Sequence, residues 1–147
     1  MRVRAAVLRQ PGLPVQVEEV ELDPPRPGEV LVRVAAAGVC HSDLHLAEGA
    51  LGRGRWPLVL GHEGAGVVEE VGEGVAHVRP GDHVAFSFVP SCRRCRFCRS
   101  GKPGLCEPAA RNAVRGTLMD GTSRLRLPDG QVLQHGLMTA CFADYAV

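Results

Sequence analysis

The sequence predicts a mainly β domain: an irregular Greek-key barrel with a few short helices and one lobe projecting from it. Three observations carry that reading. Eighteen glycines and eleven prolines cut the chain into short runs, which is the punctuation of an all-β fold rather than a helical one. Several of those runs alternate apolar and polar residues with the period of two that a half-buried strand requires. One stretch, by contrast, has no apolar periodicity; it is rich in arginine, glycine and proline and holds four cysteines at positions 92, 95, 98 and 106.

In chain order, Arg4–Leu8 and Val15–Leu22 read as a first strand pair joined at the Pro11-Gly12 turn. The proline-rich Asp23–Gly28 is an irregular connection, and Glu29–Ala36 alternates well enough to be a core strand. His41–Ala47, after Cys40, is the best short-helix candidate. Gly64–Val71 is a strand whose glycines permit close backbone approach, and Val84–Val89 is another. Arg124–Leu127 and Gln131–Leu133 flank Pro128-Asp129-Gly130, a hairpin turn by composition. Phe142–Val147 reads as a last strand.

With 147 residues, one domain is expected over 1–147, with the lobe at about 91–107. No apolar run approaches the ~20 residues of a membrane span, and Met1-Arg2-Val3-Arg4 does not begin a signal peptide. Six cysteines without such a signal point to a reducing, cytoplasmic setting. A formal net charge of +1 provides no global field for nucleic acid or membrane, so neither is an expected partner.

The stretch from Cys92 to Cys106 has no core of its own, so something else must fold it. Four thiolates around one zinc ion would do so, because a closed tetrahedral site contributes its binding energy to folding. Two disulfides, or free thiols, are the competing readings; a reducing compartment and the C-x2-C spacing favour metal. Iron–sulfur clusters use four cysteines at other spacings. Cys40 and His62, with Glu63 next in line, form a second constellation where β-runs meet turns. Protein ligands plus water make an open, Lewis-acidic zinc site, although a lone Cys and a lone His are more often structural.

Gly38-Val39-Cys40-His41-Ser42-Asp43, Pro57–Val68 with Gly61-His62-Glu63-Gly64, Gly72 with Gly74-Val75, Pro80–Val84, the four-cysteine lobe and Phe142–Tyr145 follow one another in an order of their own. In that order they resemble the GroES-like catalytic domain of the zinc-dependent medium-chain alcohol dehydrogenases, over nearly the whole chain. The resemblance implies a GroES-like barrel with a structural zinc at Cys92, Cys95, Cys98 and Cys106. It implies a catalytic zinc on Cys40 and His62, with Glu63 as an occasional ligand, and Asp43 accepting the other imidazole N–H of His62. Ser42 then receives the alcohol proton and His45 passes it on, while His41 touches the cofactor pyrophosphate. Phe88 and Trp56 are expected to wall the substrate cleft.

Two features depart from the family pattern. No G-x-G-x-x-G fingerprint of a Rossmann domain and no third catalytic-zinc cysteine occur within the 147 residues. The reading is therefore of a domain truncated before its Rossmann partner and inactive alone. It would have a tight structural zinc and a weak or absent catalytic one, NAD or NADP belonging to a longer, homo-oligomeric enzyme acting on a small alcohol or aldehyde. Two other classes compete. Arg93, Arg94, Arg96, Arg99 and Lys102 suit a nucleic-acid-binding zinc ribbon, but equally offset the dianionic charge of a zinc tetrathiolate. A non-catalytic GroES-like assembly module would require neither His62-Glu63 nor the cysteine lobe.

Overall fold

The computed structural model describes residues 1–51 and 56–147, and those residues build a closed barrel and a four-stranded sheet. Strands β1 (Arg2–Leu8) and β2 (Gln16–Leu22) pair antiparallel, with Val3 opposite Val20. On β1 the alternation sends Val3, Ala5 and Val7 inward, as period two demands. β3 (Val30–Gly38) belongs to the sheet, where it pairs antiparallel with β5 (Glu63–Val71). Helix α1 (His41–Glu48) follows β3 and ends at Gly49, whose left-handed backbone closes the last turn.

β4 (Leu58–Val59), β7 (Leu125–Arg126) and β8 (Val132–His135) complete the barrel in the order β1-β2-β7-β8-β4. β4 closes it, antiparallel to β1 and parallel to β8. β6 (His83–Ala85) and β9 (Tyr145–Ala146) are the edges of the sheet, in the order β6-β5-β3-β9. The lobe carries α2 (Arg96–Arg99), a 3-10 turn at Pro103–Leu105 and α3 (Glu107–Arg115). No described helix is long and apolar enough to cross a membrane.

Val3, Val7, Val20, Leu22, Val59, Leu125, Leu127 and Leu133 pack as the barrel core, each at most 4% exposed. Burying one such side chain is worth roughly 1.5–3 kcal/mol. A second cluster of Leu8, Leu46, Leu58 and Leu60, with Trp56, Leu137 and Phe142 against it, docks α1 on the barrel. Arg124, fully buried, immediately precedes β7. Its guanidinium donates to Glu29 Oε2 at 2.8 Å and to Asp120 Oδ2 at 2.6 Å. The buried cation is thus paired on two sides, as a buried charge must be.

The expected hairpin at Pro128–Gly130 is present: Gly130 takes a φ of +88°, and its N–H donates to the Leu127 carbonyl. Other boundaries moved. The strand expected over Val84–Val89 stops at Ala85, because Ser87 Oγ accepts the Val89 N–H and turns the chain before Pro90. The strand expected over Phe142–Val147 is divided between sheets. Ala143 bridges to Ala5 in the barrel, and Tyr145 pairs with Arg33 in the sheet. Helix α3 falls in a segment to which the sequence reading assigns no element, although Glu107-Pro108 at its start and Gly116 after its end are ordinary helix signals.

Candidate metal centres

The lobe is folded around sulfur. Cys92 Sγ accepts the Cys95 N–H at 3.3 Å, and Cys106 Sγ accepts the Cys92 N–H at 3.3 Å. Cys95 caps α2, Cys98 lies within it, and the 3-10 turn brings Cys106 back to the other three. All four are free, and their sulfurs lie within 4.8 Å of one another. Cys95–Cys98 and Cys92–Cys98 are separated by 3.5 and 4.0 Å. Tetrahedral zinc with ~2.3 Å bonds needs sulfurs about 3.75 Å apart, so the spacing suits that ion and is far from a disulfide's ~2.05 Å. Backbone amides of Cys98 and Glu107 hold the Cys95 thiol down to about 6, whereas desolvation and the neighbouring sulfurs push Cys98 up to about 12. Cys95 is therefore the thiolate available first, and closing the site must release protons. Arg96 pairs with Glu107 at 3.0 Å and lies 4.7 Å above the Phe97 ring, bracing the lobe from outside.

The second cluster joins three elements. Cys40 sits at the N-terminus of α1, directly after β3; His62 ends the turn before β5; and Glu63 begins β5. One ligand atom from each lies within 4.8 Å of the others. Asp43, only 3% exposed, organises the group with both its oxygens. Oδ2 accepts the Cys40 N–H at 3.2 Å; Oδ1 accepts the Gly61 N–H at 3.1 Å and lies 3.3 Å from His62 Nδ1. The carboxylate therefore serves as helix cap and as imidazole orienter at once, leaving His62 Nε2 on the side of Glu63, 4.0 Å from Oε1.

Two glycines make this possible. Gly61 has a φ of +95°, and a Cβ there would meet the Phe142 backbone nitrogen at 2.5 Å. At Gly38 a Cβ would lie 2.7 Å from Glu63 Oε2, so only glycine leaves the carboxylate its position. Thr139 Oγ1 and the Cys141 N–H both donate to the Gly61 carbonyl, at 2.8 and 3.1 Å. These contacts pin the His62 turn, and no motif in the sequence announced them. Cys141 is itself buried, and burial, with Asp43 and Glu63 nearby, pushes its thiol up to about 11.

The remaining expected site residues fall around this cluster unevenly. Ser42 Oγ is 3.7 Å from Cys40 Sγ. Phe88 packs edge-on against the His62 ring at a centroid distance of 5.2 Å and lines a cavity of about 210 Å3 with Cys106, Ala109, Leu137 and Met138. Trp56 lies elsewhere, in a cleft with Arg9, Gln10, Pro11 and Gln131. His41 and His45, one helical turn apart on α1, stack at 4.5 Å. Neither imidazole belongs to the Cys40/His62/Glu63 group.

Comparison with known proteins agrees with this picture. Residues 26–147 match the alcohol dehydrogenase GroES-like domain family. All 147 residues align at 46% identity with an S-(hydroxymethyl)glutathione dehydrogenase of Escherichia coli, covering 40% of that protein. The chain thus spans about 40% of the length of the curated relatives it matches. An alcohol dehydrogenase zinc-binding domain protein of Burkholderia ambifaria superposes with a TM-score of 0.86 at 39% identity, over 99% of this chain and 39% of that one. Benzyl alcohol dehydrogenase of Acinetobacter calcoaceticus gives 0.88 at 32% identity, over 99% and 38%. With its closed five-stranded barrel and its two cysteine-containing clusters, the chain belongs to the alcohol dehydrogenase GroES-like domain family.

Proposed function

We propose that residues 1–147 are the zinc-binding catalytic domain of an NAD- or NADP-dependent, cytoplasmic alcohol dehydrogenase, with the hydride acceptor held outside these residues. The observation that carries this reading is the Asp43–His62 pair beside Cys40 and Glu63: a borderline-soft donor set of S, N and O, oriented by a buried carboxylate. Zinc bound there supplies Lewis acidity, which lowers the pKa of a coordinated hydroxyl. The four-cysteine lobe takes a second, structural zinc that folds Ser91–Glu107.

The chain's own residues provide the rest. Ser42, whose hydroxyl lies 3.7 Å from Cys40 Sγ, accepts the alcohol proton, and His45 one turn along carries it toward solvent. His41, exposed at the start of the same helix, contacts the cofactor's phosphates. Phe88, against His62, forms an apolar wall that keeps a small alcohol or aldehyde close to the ligand group and excludes water. A homo-oligomer is the expected state of the longer enzyme.

A chimaera tests this. Replacing the aligned 147 residues of the Escherichia coli relative with these should give a protein that reduces NAD or NADP in the presence of alcohols. Ser42→Ala in that chimaera should lower kcat by roughly 10^2–10^4-fold, and His45→Gln by less, because bulk water replaces a relay near the surface. Wild-type rates for both variants across pH 6–9 would refute the proton path.

A further inference from the structure

We infer that His41 and His45 form a third, bis-imidazole site for a late first-row divalent cation, on one side of α1. The inference goes beyond the function proposed above and does not depend on it. The two residues stand four apart on one helical face, and their ring centroids are 4.5 Å apart with the planes tilted by 52°. A metal bound at ~2.0–2.1 Å from each nitrogen lies about 3.2 Å from each imidazole centroid, so cis ligands at ~90–109° put the centroids about 4.5–5.2 Å apart. The observed spacing is at the near end of that range, with no ion needed to draw the rings together.

The rings are also chemically free. Neither imidazole has a hydrogen bond or ion pair among the described residues, and His45 Nδ1 is buried with no partner. Nothing therefore locks either tautomer or occupies the lone pairs. Glu48, exposed at the C-terminal end of the same helix, adds negative charge nearby. The buried carboxylate of Asp43, in the first turn, offsets the unfavourable N-terminal end of the helix dipole. A neutral two-nitrogen site of this kind selects Cu2+ and Ni2+ over Mg2+ or Ca2+, as imidazole donors do. Bound metal would hold both imidazoles at once and remove them from any other task.

The test uses the 147-residue chain loaded with two equivalents of zinc, one for each cysteine-containing cluster, then titrated with Ni2+ alone and followed by calorimetry and by paramagnetic broadening of amide signals. One Ni2+ per chain should bind without displacing zinc, with broadening centred on residues 41–48. His41→Ala and His45→Gln should each weaken binding at least tenfold, and the double variant should bind no more weakly than the singles, as a chelate requires. His77→Ala, at an exposed histidine elsewhere, should leave affinity unchanged. His41 is exposed, so its replacement tests the site without disturbing the core. Unchanged affinity in His41→Ala, additive losses in the double variant, or broadening centred on His62 or the lobe would each overturn the assignment.

Discussion

Arg124→Met is the perturbation that probes most of the fold at once. The side chain is fully buried and connects β7 of the barrel to Glu29, 95 residues away beside β3, and to Asp120. Replacing it with methionine preserves bulk but strands the carboxylates. Breaking a buried pair by removing one partner costs about 3–5 kcal/mol. Here Asp120 is 39% exposed and keeps Arg26, while Glu29 keeps the Arg26 N–H, so the low end applies: about 3 kcal/mol. With an unfolding entropy of about 2.1 cal/mol/K per residue, 147 residues give about 0.3 kcal/mol/K, and the expected loss in Tm is about 10 °C. Thermal melts should be run on zinc-saturated protein, so that metal loss does not contribute. Arg124→Met/Glu29→Leu should recover most of the loss, since an apolar pair replaces an ionic one at little cost. A drop below 3 °C in the single variant, or no recovery in the double, would refute the view that the network clamps the two sheets.

Three further outcomes follow from the geometry. Cys95→Ser should release the lobe zinc and raise protease sensitivity across Ser91–Glu107 while the barrel melts as a unit; undiminished zinc content would contradict a four-thiolate site. A chelator should empty the Cys40/His62/Glu63 cluster before the lobe, because the lobe's four thiolates form a closed site and the other does not; equal, slow loss of two ions would show a ligand not identified among these residues. His135 is held down to about 4 by burial, with Arg124 adding to the effect, so the native imidazole stays neutral where the unfolded one, at 6.5, takes a proton. Stability should be full above pH 6.5 and decline as pH falls to 4, by about 1.4 kcal/mol per unit and about 3 kcal/mol in all. His135→Phe should flatten that part of a denaturant-midpoint profile, and an unchanged slope would exclude His135 as its source.

What the sequence made legible was local. The alternation of Val30–Val34 and of Gly64–Val68 was enough to find β3 and β5, and Pro128-Asp129-Gly130 marked its own turn. The cysteine spacing announced the lobe because a metal site needs only four donors within a short loop. Features made by residues far apart stayed hidden. β4 is two residues long, and its strand character comes wholly from β1 and β8. The hold of Thr139 and Cys141 on the Gly61 carbonyl bridges about 80 residues, and the Arg124–Glu29 pair bridges 95. Asp43 is expected from the sequence as the imidazole partner of His62; the fold, by placing Gly61 and His62 over α1, lets the same carboxylate cap the helix as well. Trp56 and Phe88 seemed equivalent as apolar residues near the motifs, yet one lies against His62 and the other beside Arg9 and Gln10.

The central claim is that this chain holds zinc at two sites of different completeness. Anomalous diffraction at the zinc edge, from crystals grown in excess zinc, tests it most directly. One full-occupancy peak should lie among the sulfurs of Cys92, Cys95, Cys98 and Cys106 at ~2.3 Å from each, with a weaker peak bonded to Cys40 Sγ and His62. No density between Cys40 and His62 at saturating zinc, with the lobe filled, would contradict the account.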